Sequence, residues 1–394
     1  MNDSSSLPLS YIINHLGEER SAYFHSTVPP IFQTSMFAFP SVEAMRYAVQ
    51  HESEVPFYTR GNNPTTDILR KKIAALEGAE DCLLFASGSA AVAAAVMPHL
   101  KAGDHVVCVQ KPYSWTNKLL TLLLARFDIR VTMVEGSEAD NFERAIEPTT
   151  RLIYLESPNS WTFELQDIAA VAQIAKKHGL VSVIDNSYAT PLYQKPIELG
   201  IDITLHSATK YLNGHSDTVA GAICGTKAMM QKIFNSEYMT LGGVISPFNS
   251  WLLMRGLRTL PIRLERAGKT TMQVVQFLAT HPKIEKIFYP FHESHPQYEL
   301  AQRQMSAPAG MFTIALKAND IASVERFCNA LQYFLLAVSW GSYESLAFPA
   351  CVLYTSENYQ GAAQTLHWSW IRLYIGLEDA DLLIADLDQA LGLL

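Results

Sequence analysis

Cysteine is scarce in this chain: five residues in 394, odd in number, widely spaced and without a Cys-x-x-Cys pair. A disulfide framework and a zinc knuckle are thereby excluded. Positive charge is also in deficit. Thirty Lys and Arg against thirty-eight Asp and Glu leave a net charge of −8, with no electrostatic footprint for nucleic acid and no polybasic patch for a membrane. No basic stretch followed by an apolar core opens the sequence, so no secretory signal is expected. One uncharged run, 82–100, has the length of a membrane span. Its alanines are interrupted by Ser87, Gly88, Ser89 and Pro98, however, and it reads as a strand, a tight turn and a buried helix. Internal repeats and low-complexity tracts are missing too. The expectation is a soluble protein of the reducing cytoplasm.

With 48% hydrophobic residues the composition is globular, and the length implies more than one domain. Residues 1–60, rich in Ser, Pro and aromatics without a sustained period, read as an arm with short helices. Residues 65–77 carry apolar side chains at Ile68, Leu69, Ile73 and Leu76 and stop before Gly78, which predicts a helix. Seven short apolar runs follow, at 82–87, 105–109, 130–135, 151–157, 180–186, 201–207 and 219–225, with helical patterns such as 166–178 between several of them. Near-continuous apolar strands with helical crossovers predict an α/β domain over 61–257. Its sheet is expected to be seven-stranded, mostly parallel and covered on both faces. Past 245 the texture turns to long helical sequence, then to MFTIALKA and IRLYIGLE, which predicts a smaller α+β domain over 258–394.

Ligands of open α/β sheets sit beyond the carboxyl ends of the strands, and four places there carry chemistry. After CLLFA, Ser87, Gly88 and Ser89 open an Ala-rich helix. Small residues and helix-terminal N–H groups suit an anion, although a tight strand-to-helix connection uses the same residues. The nucleotide fingerprints GxGxxG and GxxxxGK[ST] are absent. Asp185 ends the apolar run LVSVID, where a carboxylate is either paired or caps the next segment. Lys210, in SATKYLNGHSD, has apolar, small and hydroxylic neighbours, Ser207 and Thr209 included, and no adjacent acid. Most lysines are solvated, but desolvation turns one into an amine nucleophile. Arg372 interrupts the apolar WIRLYIGL and offers either a structural ion pair or a fork for a carboxylate. His292 and His295, in HESH, lie in a turn-like stretch and make a poor metal site. Together the four places fit pyridoxal phosphate, which needs a lysine for its aldehyde, a carboxylate at the pyridine nitrogen and donors for its phosphate. An aromatic face is expected as well, and Tyr113, after HVVCV, is suitably placed.

These residues stand within a longer resemblance. FYTRGNNPT (57–65), ASGSAAV (86–92), LESP (155–158), VIDNSYATP (183–191), SATKYLNGHSD (207–217), SWGSYESL (339–346) and IRLYIGLED (371–379) carry it. From about residue 25 onward the chain resembles the fold-type I, pyridoxal phosphate-dependent Cys/Met-metabolism family. The resemblance implies a pyridoxal phosphate-binding domain over 61–257. It implies that Lys210 joins the cofactor aldehyde and shuttles protons, that Asp185 pairs with the pyridine nitrogen and that Tyr113 stacks on the ring. Gly88, Ser89, Ser207 and Thr209 would hold the phosphate. Tyr58 and Arg60 would reach the cofactor of a neighbouring subunit, with Tyr58 also facing substrate, so a homodimer at least is expected, and tetramers are common in the family. Arg372 would clamp the substrate α-carboxylate, helped by Ser339 and Trp340.

Within the family, Trp340 in SWGSYESL makes the chain resemble bacterial cystathionine β-lyases. The expected activity is β-elimination from L-cystathionine or related cysteine S-conjugates, giving a thiol such as homocysteine, pyruvate and ammonia. Val338, Ser160 and Trp115 each depart from the pattern of one member or another. A γ-acting member (cystathionine γ-lyase, γ-synthase or methionine γ-lyase) is the alternative, and a non-catalytic pyridoxal phosphate-binding protein is the reading from a different class.

Overall fold

A computed structural model describes residues 7–355 and 365–394. The chain opens as an arm with the short helices α1 (Leu9–Asn14) and α2 (Val42–Gln50), and Met36, Val42 and Tyr47 of this arm are exposed. Helix α3 (Pro64–Glu77) falls where the apolar period placed one. The Asn63 side chain accepts from the Thr65 N–H, Pro64 fills the first turn, and Gly78 ends the helix at φ 71°, in the left-handed region.

All seven expected strands form: β1 (Asp81–Phe85), β2 (His105–Val109), β3 (Arg130–Val134), β4 (Thr150–Glu156), β5 (Val181–Asp185), β6 (Ile203–His206) and β7 (Gly221–Gly225). They make one sheet in the order β1-β7-β6-β5-β4-β2-β3. The pairs among β3, β2, β4, β5 and β6 are parallel, and β7 runs antiparallel to both β6 and β1. Apolar residues on both faces of these strands demand two covers. On one face Ala91, Val92, Ala95 and Val96 of α4 (Gly88–Val96) pack on Val106, Tyr154 and Ile203. The short α5 (Ser114–Lys118) follows β2. On the other face Ile168, Val171 and Ala175 of α6 (Ile168–Lys177) pack on Val107, Ile153 and Ile184. The uncharged run 82–100 is therefore strand, turn and helix, and no helix among the described residues is long and apolar enough to cross a membrane.

Helix α7 (Pro247–Thr280) is 34 residues long and runs unbroken through 257 and 258, the positions at which the texture divided the chain. Beyond it lie β8 (Ile284–Phe288), β9 (Met311–Leu316), β10 (Leu335–Leu336), β11 (Leu346–Pro349) and β12 (Trp370–Tyr374), in the sheet order β10-β11-β12-β9-β8, and the last helix, α8 (Ala380–Leu391). Leu257, Leu264 and Val274 of α7 share one core with Phe312, Ile314, Leu383 and Leu387, and that core continues to Leu69, Ile73 and Leu76 of α3. The small sheet is thus fastened to the flank of the large one. Strands β1, β2, β4, β5 and β6 all point their carboxyl ends the same way, which gathers the loops after them along one edge.

Candidate active site

A cleft of about 670 Å³ opens along that edge, floored by the strand tips of the large sheet and walled by loops of both sheets. At the tip of β1, Ser87 caps α4: its hydroxyl oxygen accepts from the Ala90 N–H at 3.1 Å. The first-turn N–H groups of Gly88 and Ser89 have no partner within the helix and present its positive end to the cleft. A Cβ on Gly88 would lie 2.9 Å from the Ser207 hydroxyl, so only glycine lets this turn close on the segment after β6. That segment is held in turn. Ser207 N–H donates to Ser187 Oγ at 2.7 Å, and the Thr209 hydroxyl both donates to the Ala220 carbonyl (3.2 Å) and accepts from its N–H (3.0 Å). Two backbone donors and the small residues Ser89, Ser207 and Thr209 therefore line the cleft together, a setting suited to an anion.

Asp185 is the last residue of β5, and its Oδ1 accepts the Ser187 N–H at 2.9 Å. Burial pushes its carboxyl above the usual range, against the pull of Ser187, His206 and Lys210. Lys210, four residues past β6, donates from Nζ to Ser339 Oγ at 3.0 Å, with the Trp340 ring centre 5.7 Å away. Burial first, and then the Arg372 charge, push its amine down to about 8. The loop bearing Ser339 and Trp340 lies directly on this lysine. Gly341 sits at φ 93°, and a Cβ there would come within 2.9 Å of Lys210 Cα.

The walls come from farther away in sequence. Tyr113 follows β2 at the start of α5 and is exposed to the cleft mouth. Arg372, buried in the middle of β12, donates to the Val338 carbonyl at 2.5 Å, and its guanidinium lies 5.4 Å from the Trp161 ring and 5.3 Å from that of Phe348. Between the walls Glu156 ends β4, opposite Asp185 in register, and burial together with the Asp185 charge pushes its carboxyl up to about 8.

Gly88, Ser89, Tyr113, Asp185, Ser207, Thr209, Lys210, Ser339, Trp340 and Arg372 all line this one cleft. Tyr58 and Arg60 do not. Both are exposed on the arm, where Tyr58 bridges to Met36 and the Arg60 guanidinium lies 5.3 Å from the Tyr58 ring. Sequence reasoning passed over Glu156, Trp161 and Phe348 as site residues. Glu156 carried the signal that singled out Asp185, an acid closing an apolar run, whereas nothing local marks the two rings. The arrangement suits pyridoxal phosphate on its own chemistry. The buried Asp185 carboxyl, held above its ordinary range, would be answered by a protonated ring nitrogen, the Ser87–Ser89 turn by a phosphate and the lowered Lys210 amine by an aldehyde.

Residues 11–392 match the model of the Cys/Met metabolism PLP-dependent enzyme family, and the chain belongs to that family of pyridoxal phosphate enzymes. Its relatives include the L-methionine γ-lyase of Pseudomonas putida, 40% identical over 396 residues that cover 99% of each chain. The L-methionine γ-lyase of Treponema denticola is 39% identical over 386 residues, 96% of this chain and 95% of that one. Human cystathionine γ-lyase is 40% identical over 341 residues, 85% of this chain and 83% of its own. These relatives are named for γ-elimination. The expectation of a cystathionine β-lyase, drawn from Trp340 and its motif, finds no support among them.

Proposed function

We propose that this chain is a carbon–sulfur lyase that eliminates the γ-substituent of a sulfur amino acid of the methionine or cystathionine type, releasing a thiol, 2-oxobutanoate and ammonia. The observation that carries the reading is a lysine amine lowered to about 8 in the same cleft as the Asp185 carboxyl and the Arg372 guanidinium. The names of the relatives support γ- over β-elimination.

Bound pyridoxal phosphate would supply an electron sink for the carbanion formed at Cα. Asp185 would keep the ring nitrogen protonated, Tyr113 would cover the ring face and take a proton from the incoming amine, and the Ser87–Ser89 turn with Ser207 and Thr209 would hold the phosphate. Arg372 fixes the substrate α-carboxylate by a bidentate fork, with Trp161 and Phe348 shielding the guanidinium from water. That fixes which Cα bond faces Lys210, whose amine, neutral above about 8, would take the Cα proton, hand it on to the bound cofactor and, neutral again, take a Cβ proton on the same side. Ser339, as the hydrogen-bond partner of Lys210, orients the amine. A cytoplasmic homo-oligomer in which Tyr58 and Arg60 complete a neighbour's site accounts for their exposed position.

Product identity tests the proposal. Purified protein supplied with pyridoxal phosphate should form 2-oxobutanoate from L-methionine or L-cystathionine. Pyruvate as the sole keto acid from L-cystathionine would replace γ- by β-elimination, the reading that Trp340 favours. No keto acid from either substrate would end the lyase assignment.

A further inference from the structure

We propose that Glu156 is a positioning residue that ties the wall carrying Tyr113 to the wall carrying the Arg372 clamp, so that cofactor and amino acid are gripped by one linked frame. This deepens the reading above and rests on its premise that the cleft holds pyridoxal phosphate and an α-amino acid.

The geometry is a fork. Glu156 is buried at the end of β4, and its two carboxyl oxygens serve different loops. Oε2 accepts the Tyr113 backbone N–H at 2.6 Å, and Oε1 accepts the Ser160 hydroxyl at 2.7 Å. The first tie fixes the start of α5 through its backbone and leaves the Tyr113 ring to the cleft. The second fixes the loop after β4 one residue before Trp161, whose ring lies 5.4 Å from the Arg372 guanidinium and 5.5 Å from the Phe348 ring. A continuous path therefore runs from Tyr113 through one carboxyl group to Ser160, Trp161 and Arg372. The backbone that carries this carboxyl is itself held, since Glu156 N–H donates to the Gln166 side-chain oxygen at 3.2 Å.

An acid is an expensive choice for a merely structural strand end here. Asp185 on β5 stands opposite in register, Cys108 on β2 and Tyr154 on the same strand face it, and Arg372 from the small sheet offers a favourable charge. Two buried carboxyl groups side by side disfavour each other's ionisation. What a carboxyl gives in return is two acceptor oxygens at a fixed angle, aimed at donors on separate loops.

Three variants and two affinities test this, neither requiring turnover. The affinity of the apoprotein for pyridoxal phosphate is read by fluorescence titration, and that of the loaded protein for glycine, an unreactive amino acid, by the change in cofactor absorption. E156A should weaken both, each by about tenfold. S160A should weaken glycine binding by about threefold, a neutral hydrogen bond being worth less, and leave the cofactor affinity alone. E156Q, whose amide oxygen still accepts from Tyr113, should recover most of the cofactor affinity lost in E156A. A lowered melting temperature in E156A with both affinities intact overturns the proposal, as does S160A weakening cofactor binding as strongly as E156A. If E156A does not fold, S160A with parental glycine affinity overturns it. Failure of the lyase reading is distinguishable: keto acids would be absent while the affinities still shift. Failure of the cofactor premise would show as a parent protein that binds no pyridoxal phosphate.

Discussion

Two regions of this molecule bury charge, and they do so in opposite ways. On the flank of α3, Lys72 and Glu18 are fully buried and 3.0 Å apart, and Arg20 and Arg258 reach the same carboxylate at 2.8 and 3.0 Å. Lys72 also donates to the carbonyls of Ile12 and Ile13 at 3.1 and 3.2 Å. Each charge in this cluster has an opposite charge within reach, and the cluster fastens the arm to α3 and α7. In the cleft, Lys210 makes no ion pair among the described residues and donates to a neutral hydroxyl. Burial lowers both lysines, but after burial the leading influence on Lys72 is Glu18, which pulls it back up against Arg258 and Arg20, whereas on Lys210 it is Arg372, which pushes further down against Asp185. Burial of charge is common to both regions; incompleteness belongs to one. An unfinished electrostatic set in a cleft marks a binding site, a finished one marks a fastening.

Substitution should separate the two most sharply. Lys210→Ala should lower turnover by at least about 10³-fold and abolish the absorption of covalently held cofactor, because Lys210 supplies the amine set between Asp185 and Arg372. A variant that retained turnover would remove the open cluster from the chemistry. Glu18→Gln should act on stability instead. Leaving Lys72 buried without its anion costs about 3 kcal/mol, seen as a lower melting temperature with the cofactor absorption preserved. If this variant melted with the parent, the flank cluster would not be the fastening described.

Much of the fold was legible because the signals were local. Each of β1 to β7 is a short apolar run with its own boundaries, and α3 carries its apolar stripe, a Pro at its start and a Gly at its end. Asp185, Lys210 and the Ser87–Ser89 turn were legible as sites because a strand tip is a recognisable place and each residue is chemically odd there. The antiparallel direction of β7 was not, since a buried apolar run reads alike in either direction. Nor was α7's passage through the expected domain division: a change of texture marks where packing partners change, and one helix can carry a single core from one sheet to the other. Trp161 and Phe348 meet at Arg372 from different sheets, a juxtaposition that no local pattern encodes. The choice between β- and γ-elimination was not legible for a related reason. It depends on which substrate carbon carries the leaving group, and one tryptophan beside the lysine does not report that.

The finest distinction between the two regions is in how their lysines titrate. Lys210 has its amine lowered to about 8, so it is an ammonium below that pH and a neutral amine above it. Only the neutral form attacks an aldehyde. The rate at which apoprotein captures pyridoxal phosphate should therefore rise with pH and level off just above 8, running about tenfold below its plateau one unit beneath the midpoint. A solvated lysine, with its ordinary value near 10.4, would keep climbing to the end of the accessible range. Trapping the adduct with borohydride at each pH and weighing the protein gives the curve, and acetyl-lysine treated identically divides out the ionisation of the aldehyde itself. Because Arg372 contributes to the lowering, Arg372→Ala should move the midpoint upward. A rate still increasing at pH 10 in the parent, or a midpoint indifferent to Arg372, would place Lys210 in the same electrostatic class as any exposed lysine and dissolve the contrast with Lys72.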